Sequence, residues 1–457
     1  MNEPIVSAPS TRDRFIRRLL FIGWWGVMTL LPIGHLTGLR NTATTIVVLA
    51  TLLWAGKDCW RALPARWWAV SILAWCAASI GWSAVPEVSF GKWRSDLLLP
   101  LLAYATAFGY VKKTQSIDAI VGGIVTGIVC LTVLSIPALL PGAWANGLAM
   151  LMRTESFATV VNPMPVWFPG VGDASIAAAF ASVGLILTGP WVASRQRRLA
   201  IAVTVLFVSS IVLILVAINN RNATLTIPVA AGFAVWLDRR RSNAPQASAP
   251  GARSRISRIV PVAVLVIVVS GSLALLESGA RERLRQTGMP VGDDQSALLV
   301  LTERDTRPMI WSYYTRLALR APWSGVGFGR TVPGITYHTQ ADLQLALVEG
   351  NAYVHAHNLV LNWWLQTGLV GVALLLGLLS SLVASAWRSI GRVGTARRAA
   401  TSTVIALVTT MLLRNMTDDL LIFGMASMFW ILVGMCFAAA GLSSDSRSTR
   451  TTGQREP

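Results

Sequence analysis

Residues 359–386 read LVLNWWLQTGLVGVALLLGLLSSLVASA and contain no charged side chain in 28 consecutive positions. A helix needs about 20 apolar residues to cross the hydrocarbon core of a bilayer, so this stretch is long enough to span a membrane. The rest of the 457-residue chain has the same character, because 54% of its residues are hydrophobic and only 13% are charged. Soluble domains carry about 25% charged residues. The sequence therefore predicts a membrane protein and excludes a disordered chain or an ordinary soluble enzyme.

Apolar runs of comparable length recur along the chain, and each is a candidate transmembrane helix. Their number predicts an all-α polytopic membrane protein with about twelve transmembrane helices. The second and eleventh runs are short, so we expect these helices to extend into their flanks. The runs lie near residues 18–36, 42–56, 67–85, 96–111, 118–141, 173–193, 199–218, 222–237, 259–276, 359–386, 400–413 and 420–442.

Two segments between the runs, residues 142–172 and 277–357, are longer than ordinary connections. Both contain tryptophan and proline, a composition that argues against disorder. The role of the first is left open, and the second is expected to be partly helical. The predicted organisation is nine spans in residues 1–276, which include a basic loop at 238–258, then the large loop 277–357, three spans in 358–442 and a tail at 443–457.

The distribution of positive charge predicts the orientation. The chain carries 39 Lys and Arg residues, and 25 of them fall on the same side as the N-terminus if the runs alternate. Eight of the other 14 lie in the large loop. Because Lys and Arg favour the cytoplasmic side, we expect both termini in the cytoplasm and both long segments outside. Short basic runs between spans also explain the net charge of +18 without a nucleic-acid partner.

The large loop contains a predicted amphipathic helix that begins near Pro308, a residue suited to the first turn of a helix. It is expected to lie on the membrane or to cap the helical bundle. Arg307 lies in register with the apolar face of this helix, where an arginine requires an anionic partner. Two readings stay open, a ligand contact or a pair with Glu303 or Asp305, whereas Arg316 and Arg320 are expected to face solvent or headgroups. The apolar face consists of Ile310, Trp311, Tyr314, Leu317 and Ala318.

A glycine-rich stretch, Pro322 to Gly329, follows this helix. It is a poor match to a nucleotide-binding loop, because no strand precedes it and no Gly-Lys-Ser/Thr sequence follows. We interpret it as a tight turn that redirects the chain.

His357 and Asn358 open the long apolar helix quoted above. The positive end of a helix dipole disfavours imidazolium, so a neutral ring that accepts a proton is expected here, at a terminus that also attracts anions. A polar cap at the membrane interface is an equally good reading. All four histidines fall on the predicted external side, namely His35, His338, His355 and His357.

Arg221 lies in a short polar hinge between the seventh and eighth predicted spans. It is either an interfacial arginine whose head group reaches water or a fixed cation at the depth of a lipid phosphate.

These residues together resemble a known family. His357-Asn358, followed after nine residues by Gly368-Leu369-Val370-Gly371, is similar to the pattern H-[N/S/Q]-x9-G-x-x-G of lipopolysaccharide O-antigen ligases, in the O-antigen ligase/polymerase superfamily. Arg307 with Trp311, followed by the glycine-rich stretch, resembles the long-loop signature of that family. Arg221 matches a third position. The resemblance covers about residues 200–385.

The resemblance implies a GT-C-like fold and a multi-pass protein of the bacterial inner membrane with a periplasmic active site. It implies transfer of polysaccharide from an undecaprenyl diphosphate carrier to lipid A–core, without a metal ion or a cofactor. Arg221 and Arg307 are then predicted to neutralise the diphosphate and His357 to deprotonate the acceptor hydroxyl. Arg304 and His355 are alternatives to their neighbours. The predicted substrate-binding residues are Arg304, His355, Asn358, Trp311 and His338.

Other functions compete with this reading. An O-antigen polymerase or a protein O-oligosaccharyltransferase would use the same donor and differ in its acceptor. A secondary transporter would place ionisable residues or broken helices near the middle of the bilayer. Here the unusual polar residues gather at one face, which disfavours transport.

Overall fold

The computed structural model describes residues 10–32, 37–135, 307–337, 356–390, 395–416 and 423–441, with four single positions between 277 and 296. Every regular element in these ranges is a helix, as the sequence predicts. The helices are α1 (Thr11–Leu30), α2 (Thr37–Ala55), α3 (Arg66–Ala78), α4 (Pro86–Lys92), α5 (Leu99–Thr114), α6 (Asp118–Ser135), α7 (Arg307–Ala318), α8 (Val332–Tyr337), α9 (Leu359–Ile390), α10 (Thr395–Asn415) and α11 (Phe423–Ala440).

The predicted spans that fall in these ranges coincide with helices. The two short runs extend into their flanks, since α2 has 19 residues and α10 has 21. Within the described ranges, α9 is long and apolar enough to cross a membrane, and α6 and α11 contain shorter apolar stretches. The spans predicted between residues 142 and 276 lie outside the described residues, so the count of twelve and the division into domains stay predictions.

The core of the described bundle lies where α5 packs against α11. Alanines at 103 and 107 are fully buried on α5. On α11, a side chain at Gly434 would overlap the backbone carbonyl of Tyr104. Small residues allow two helix backbones to approach closely, which is a common packing mode within membranes. The small residues of α5 and α11 therefore allow these two helices to pack closely at the centre of the described bundle.

A π-helical turn, Trp93–Leu98, joins α4 to α5. Such turns occur as single insertions in helices, often near functional sites. This turn places Asp96 inside the protein, where only 6% of its surface is exposed. A carboxylate is thus buried at the start of α5.

The helix α9 is broken at Gly368, which corrects the prediction of one continuous helix over 359–386. Gly368 has φ 68° and ψ −177°, far from helical values. Residues 369–390 form a half-helix about 33 Å long at 1.5 Å per residue, enough to cross a hydrocarbon core of about 30 Å. Residues 359–367 form a separate half-helix, so the polar sequence His357-Asn358 opens this shorter piece.

Candidate functional site

His357 adopts a left-handed backbone conformation, with φ 49°. This conformation costs a non-glycine residue about 1–2 kcal/mol, and such outliers concentrate at functional sites. His357 precedes Asn358, the N-cap residue of α9. Its backbone conformation therefore sets the direction in which the imidazole points from the start of the helix. Sequence patterns contain no signal for this strain.

Asn358 fixes the position of His357 through two hydrogen bonds of its side chain. Its Oδ1 accepts from the backbone N of Leu361 at 3.0 Å, which is a standard helix N-cap. Its Nδ2 donates to the backbone carbonyl of Met416, just beyond α10, at 2.9 Å. The amide therefore ties the start of α9 to the end of α10. We call this end of the bundle the site end.

The predicted amphipathic helix is α7, and it packs against the first half of α9. Their shared apolar cluster, here called the α7–α9 cluster, includes Ala356, the residue before His357. Arg307 begins α7 in helical register with Ile310 and Tyr314 of that cluster. Arg307 and His357 therefore each lie within one helical turn, along the chain, of a member of this cluster. Its buried members are Ile310, Tyr313, Tyr314, Leu317, Ala318, Tyr337, Ala356, Leu361 and Leu365.

Trp311 packs partly buried against the α7–α9 cluster. Its indole N–H is shielded from solvent and meets no hydrogen-bond acceptor among the described residues. A buried donor left in this state costs about 1–3 kcal/mol. The geometry is therefore suited to a hydrogen bond from Trp311 to an oxygen of a bound molecule.

The glycine-rich stretch docks onto the break in α9. Interrupting the helix frees backbone carbonyl and N–H groups, which must find partners when buried. The docked stretch supplies them on both sides of the break. The bonds run from Val326 N to Leu365 O at 2.9 Å, from Gly327 N to Gln366 O at 2.9 Å, and from Leu369 N to Pro322 O at 2.8 Å.

Close contacts explain why glycine occupies both partners of this junction. A side chain at Gly368 would overlap the carbonyl of Trp323, and one at Gly325 would overlap the backbone of Gln366. A side chain at Gly371 would overlap Thr367. The nine residues between Asn358 and Gly368 form the first half of α9. The nine-residue spacing in the family pattern therefore corresponds to the length of this half-helix, from His357-Asn358 to the break.

Two indole groups brace the junction, and neither was singled out by the sequence analysis. Trp75 of α3 donates to the carbonyl of Thr367 at 2.8 Å, and Trp364 donates to the carbonyl of Pro322 at 3.0 Å. Their sequence signal is weak, because tryptophan is common throughout this chain, with 19 copies. Of the two acceptors, the Thr367 carbonyl is freed by the break, and the Pro322 carbonyl belongs to the docked stretch.

The structure describes four of the eight predicted site residues, namely Arg307, Trp311, His357 and Asn358. Trp311 packs against the α7–α9 cluster, Arg307 begins α7, and His357 and Asn358 immediately precede α9. The other four, Arg221, Arg304, His338 and His355, lie outside the described residues. Arg316 and Arg320 are exposed, as expected. In the described ranges, no group of three or more His, Cys, Asp or Glu side chains is arranged to hold a metal ion.

These features define a class, an all-α membrane protein whose polar site is built at the start of a discontinuous helix. Residues 205–376 match the model of the O-antigen ligase family. The match includes α7, the glycine-rich stretch, His357 and both halves of the break. It confirms, over that part of the chain, the resemblance to O-antigen ligases found in the sequence. No curated protein matches the chain.

Proposed function

We propose that this protein is a glycosyltransferase that ligates O-antigen polysaccharide onto lipid A–core. The donor is the polysaccharide on undecaprenyl diphosphate, and the reaction takes place at the periplasmic face of the bacterial inner membrane. Both termini are then cytoplasmic, in a GT-C-like fold of about twelve spans. The observation that carries the proposal is His357, held in a strained conformation at the start of the broken helix. It follows Ala356 of the α7–α9 cluster, to which α7, the helix that begins at Arg307, also contributes.

The proposed chemistry is a single displacement. The acceptor hydroxyl of lipid A–core attacks the anomeric carbon of the donor sugar, a new C–O bond forms, and the bond from that carbon to the diphosphate oxygen breaks. His357 takes the hydroxyl proton, and the electron pair of the broken bond leaves with the lipid diphosphate. The reaction therefore inverts the anomeric configuration.

The leaving diphosphate needs charge neutralisation more than it needs a proton. Guanidinium groups suit this task, because they form two parallel hydrogen bonds to phosphate oxygens and stay charged. Arg307 and Arg221 supply them in the proposal, with Arg304 as the alternative to Arg307. Trp311 fits as a hydrogen-bond donor to a sugar or phosphate oxygen, because its N–H is buried beside the same cluster. These groups act without a metal ion or a cofactor.

The hydrogen bonds at the break in α9 argue against a transporter. Transporters use broken helices because freed carbonyls and N–H groups are available to bind ions or substrates. Here the glycine-rich stretch and Trp75 already bond to those groups. The break thus sets the position of the half-helix that begins after His357. The backbone groups at the break bond to other parts of the protein and are not available to a transported ion or substrate.

The test is transfer in proteoliposomes that contain undecaprenyl diphosphate-linked polysaccharide and lipid A–core. The informative variant is His357→Asn, because asparagine tolerates the left-handed conformation but does not accept the proton. General-base catalysis contributes about 10²–10⁴-fold, so we expect a loss of that size, and Arg307→Gln should also lose activity. Arg316→Gln is the matched control, since Arg316 is exposed on the same helix.

His357→Gly separates chemistry from folding. Glycine adopts the left-handed conformation without strain, so this variant should fold at least as well as the wild type and still fail to transfer. Full transfer by well-folded His357→Asn would eliminate the proposed base.

The acceptor distinguishes the remaining alternatives. A ligase requires lipid A–core and does not lengthen the polysaccharide. Longer donor chains formed without lipid A–core would identify a polymerase, and transfer to an added protein acceptor would identify a protein O-oligosaccharyltransferase.

A further inference from the structure

An open groove runs along the second half of α9, where this helix packs against α10. Its volume is about 400 Å³, within the range of about 300–1,000 Å³ that is typical of ligand sites. Seven residues of α9 from Leu376 to Arg388 line one wall, at spacings that place them on one face of the helix. Val408 and Leu412 of α10 line the other wall. The groove therefore follows α9 away from the break at Gly368.

The groove has the length and the polarity of one leaflet of a bilayer. Leu376 and Arg388 are twelve positions apart, about 18 Å along a helix, and half of a hydrocarbon core is about 15 Å. The described lining is aliphatic from Leu376 to Ala384 except for Ser380. The small side chains of Ser380 and Ala384 leave room between Leu376 and Trp387. This space suits a single acyl chain.

Positive charge enters the groove only at the end farther from the break. Arg388 is exposed there and forms no ion pair with a described residue. Trp387 beside it is 45% exposed, and tryptophan is enriched at the depth where lipid head groups begin. The segment 388–398 contains four Arg and no Asp or Glu. Basic clusters directly beyond a membrane helix attract anionic lipids, so this end of the groove is complementary to a phosphate.

We propose that the groove binds one phospholipid with an anionic head group, in the leaflet farther from the site end. One acyl chain lies between Leu376 and Trp387, and Arg388 contacts the phosphate. The bound lipid contacts both α9 and α10 and stabilises their packing. This lipid is not a substrate, and its binding does not depend on the proposed transfer reaction.

The charge argues against a polyprenyl chain of the proposed donor as the occupant. The donor carries its diphosphate at the site end. Arg388 is 20 positions beyond Gly368, about 30 Å along a helix. A polyprenyl chain in the groove would therefore provide no anion for the arginine.

The charge also argues against a second copy of the chain. Two copies in one membrane share their orientation, and a two-fold contact places the same surface of each copy together. Packing through the groove would bring two copies of segment 388–398 side by side, where their like charges repel.

The test is native mass spectrometry of the full-length protein in detergent, titrated with phosphatidylglycerol or with phosphatidylcholine, whose head group has no net charge. The wild type should bind one phosphatidylglycerol about fivefold more tightly than phosphatidylcholine, which is the contribution of one interfacial arginine. Arg388→Gln should remove this preference. Arg61→Gln is the matched control, because Arg61 is exposed outside the groove, and it should keep the preference.

Ala384→Trp tests the apolar part of the groove. Ala384 is exposed, so an indole ring there occupies the place of the acyl chain without overpacking the bundle. Binding of both lipids should fall by at least about tenfold, a loss that removing two methylene groups from apolar contact already causes. Leu53→Trp is the control, since Leu53 is 89% exposed on α2, and it should bind both lipids as the wild type does.

Photocrosslinking gives the location of the lipid and does not require a variant. Phosphatidylglycerol with a diazirine on one acyl chain should label peptides that contain residues 376–388 or 404–412. Labelling confined to other helices, equal binding of the two lipids by the wild type, or unchanged binding in Ala384→Trp would overturn the proposal.

Two further results would assign the groove to another occupant and so reject the lipid. Undecaprenyl phosphate that binds the wild type and Arg388→Gln equally, but not Ala384→Trp, would identify a polyprenyl chain if phosphatidylglycerol does not compete with it. Wild-type dimers that dissociate in Ala384→Trp without any lipid would identify a second copy. Failure of sugar transfer alone would reject the proposed function and leave the lipid site intact.

Discussion

The two ends of the bundle are held together by different chemistry. At the site end, backbone groups bond directly to backbone groups across the break in α9, and glycines allow the close approach. At the opposite end, α1, α2 and α5 are joined by side chains. Asp13 accepts from Trp54 Nε1 at 2.9 Å and from Arg17 Nε at 2.8 Å, and Lys113 Nζ donates to the carbonyl of Trp54 at 2.5 Å.

The difference lies in how easily each end tolerates change. Backbone contacts at van der Waals distance leave no room for a larger residue, whereas partly exposed ion pairs contribute about 0–1 kcal/mol each. The side chains of Arg17 and Asp13 are 38% and 25% exposed. We therefore expect substitutions at the site end to cost more than those at the opposite end.

Gly368→Ala should have the largest effect. The new methyl group would overlap the Trp323 carbonyl, and alanine would have to adopt φ 68°. Strain of about 1–3 kcal/mol in this backbone region, which is essentially restricted to glycine, and overpacking of about 1–3 kcal/mol together predict a loss of about 2–6 kcal/mol. Thermal unfolding in nanodiscs measures the stability, and the proteoliposome assay measures the loss of transfer.

Gly26→Ala is the matched control, because Gly26 lies within α1 and a side chain there meets nothing within 4 Å. Alanine favours a helix interior by about 0.5–1 kcal/mol relative to glycine, so this variant should be neutral or slightly stabilised. Equal stability of the two alanine variants would show that the break is not a constrained joint.

Asn358 substitutions should have an intermediate effect and separate its two bonds. Asn358→Ala removes the helix cap, worth about 1 kcal/mol, and the bond to Met416, worth about 0.5–1.5 kcal/mol. Asn358→Ser keeps the capping oxygen and removes only the second bond. Serine should therefore recover about half of the lost stability, measured as above.

Transfer by the two Asn358 variants tests what the second bond does. If the contact with α10 positions His357, Asn358→Ser should still transfer more slowly than the wild type. Transfer at the wild-type rate would assign Asn358 a capping role alone. Its predicted part in substrate binding would appear as a raised KM for donor or acceptor.

The apolar runs predicted where the helices lie, because burial in lipid demands long uncharged segments. They did not predict the break at Gly368, since hydropathy averages over residues and glycine is frequent in membrane helices. The glycine-rich stretch was predicted as a turn, but its docking onto the break in α9 was not. The residues it bonds to, Leu365 and Gln366, lie about 40 positions further along the chain. Backbone strain at His357 has no signal in composition or periodicity.

The candidate site was predictable only in part, for a related reason. Arg307, Trp311 and His357 were found through local helical register and through the resemblance to a family. Asp96 and Arg330 line the same cavity although 234 positions separate them in the sequence. A single sequence contains no information about such long-range pairs. The one local hint was an acidic residue at the start of an otherwise apolar run.

Asp13→Asn should have the smallest effect, and its size should depend on pH. Asp13 precedes the predicted span 18–36, and its pKa is lowered below the usual 3.8, chiefly by the bond from Trp54 and also by Arg17. A lowered pKa means that the folded protein favours the carboxylate, so its stabilisation is present above pH 4 and is lost as pH falls through the folded pKa.

Asparagine keeps an acceptor for Trp54 but has no charge. The wild type should thus unfold at a slightly higher temperature than the variant at pH 7, by at most about 1 kcal/mol in stability. This gap should shrink as the pH falls below the lowered pKa of Asp13. A gap that widens in acid would contradict the ionised contact and would remove the basis for contrasting the two ends.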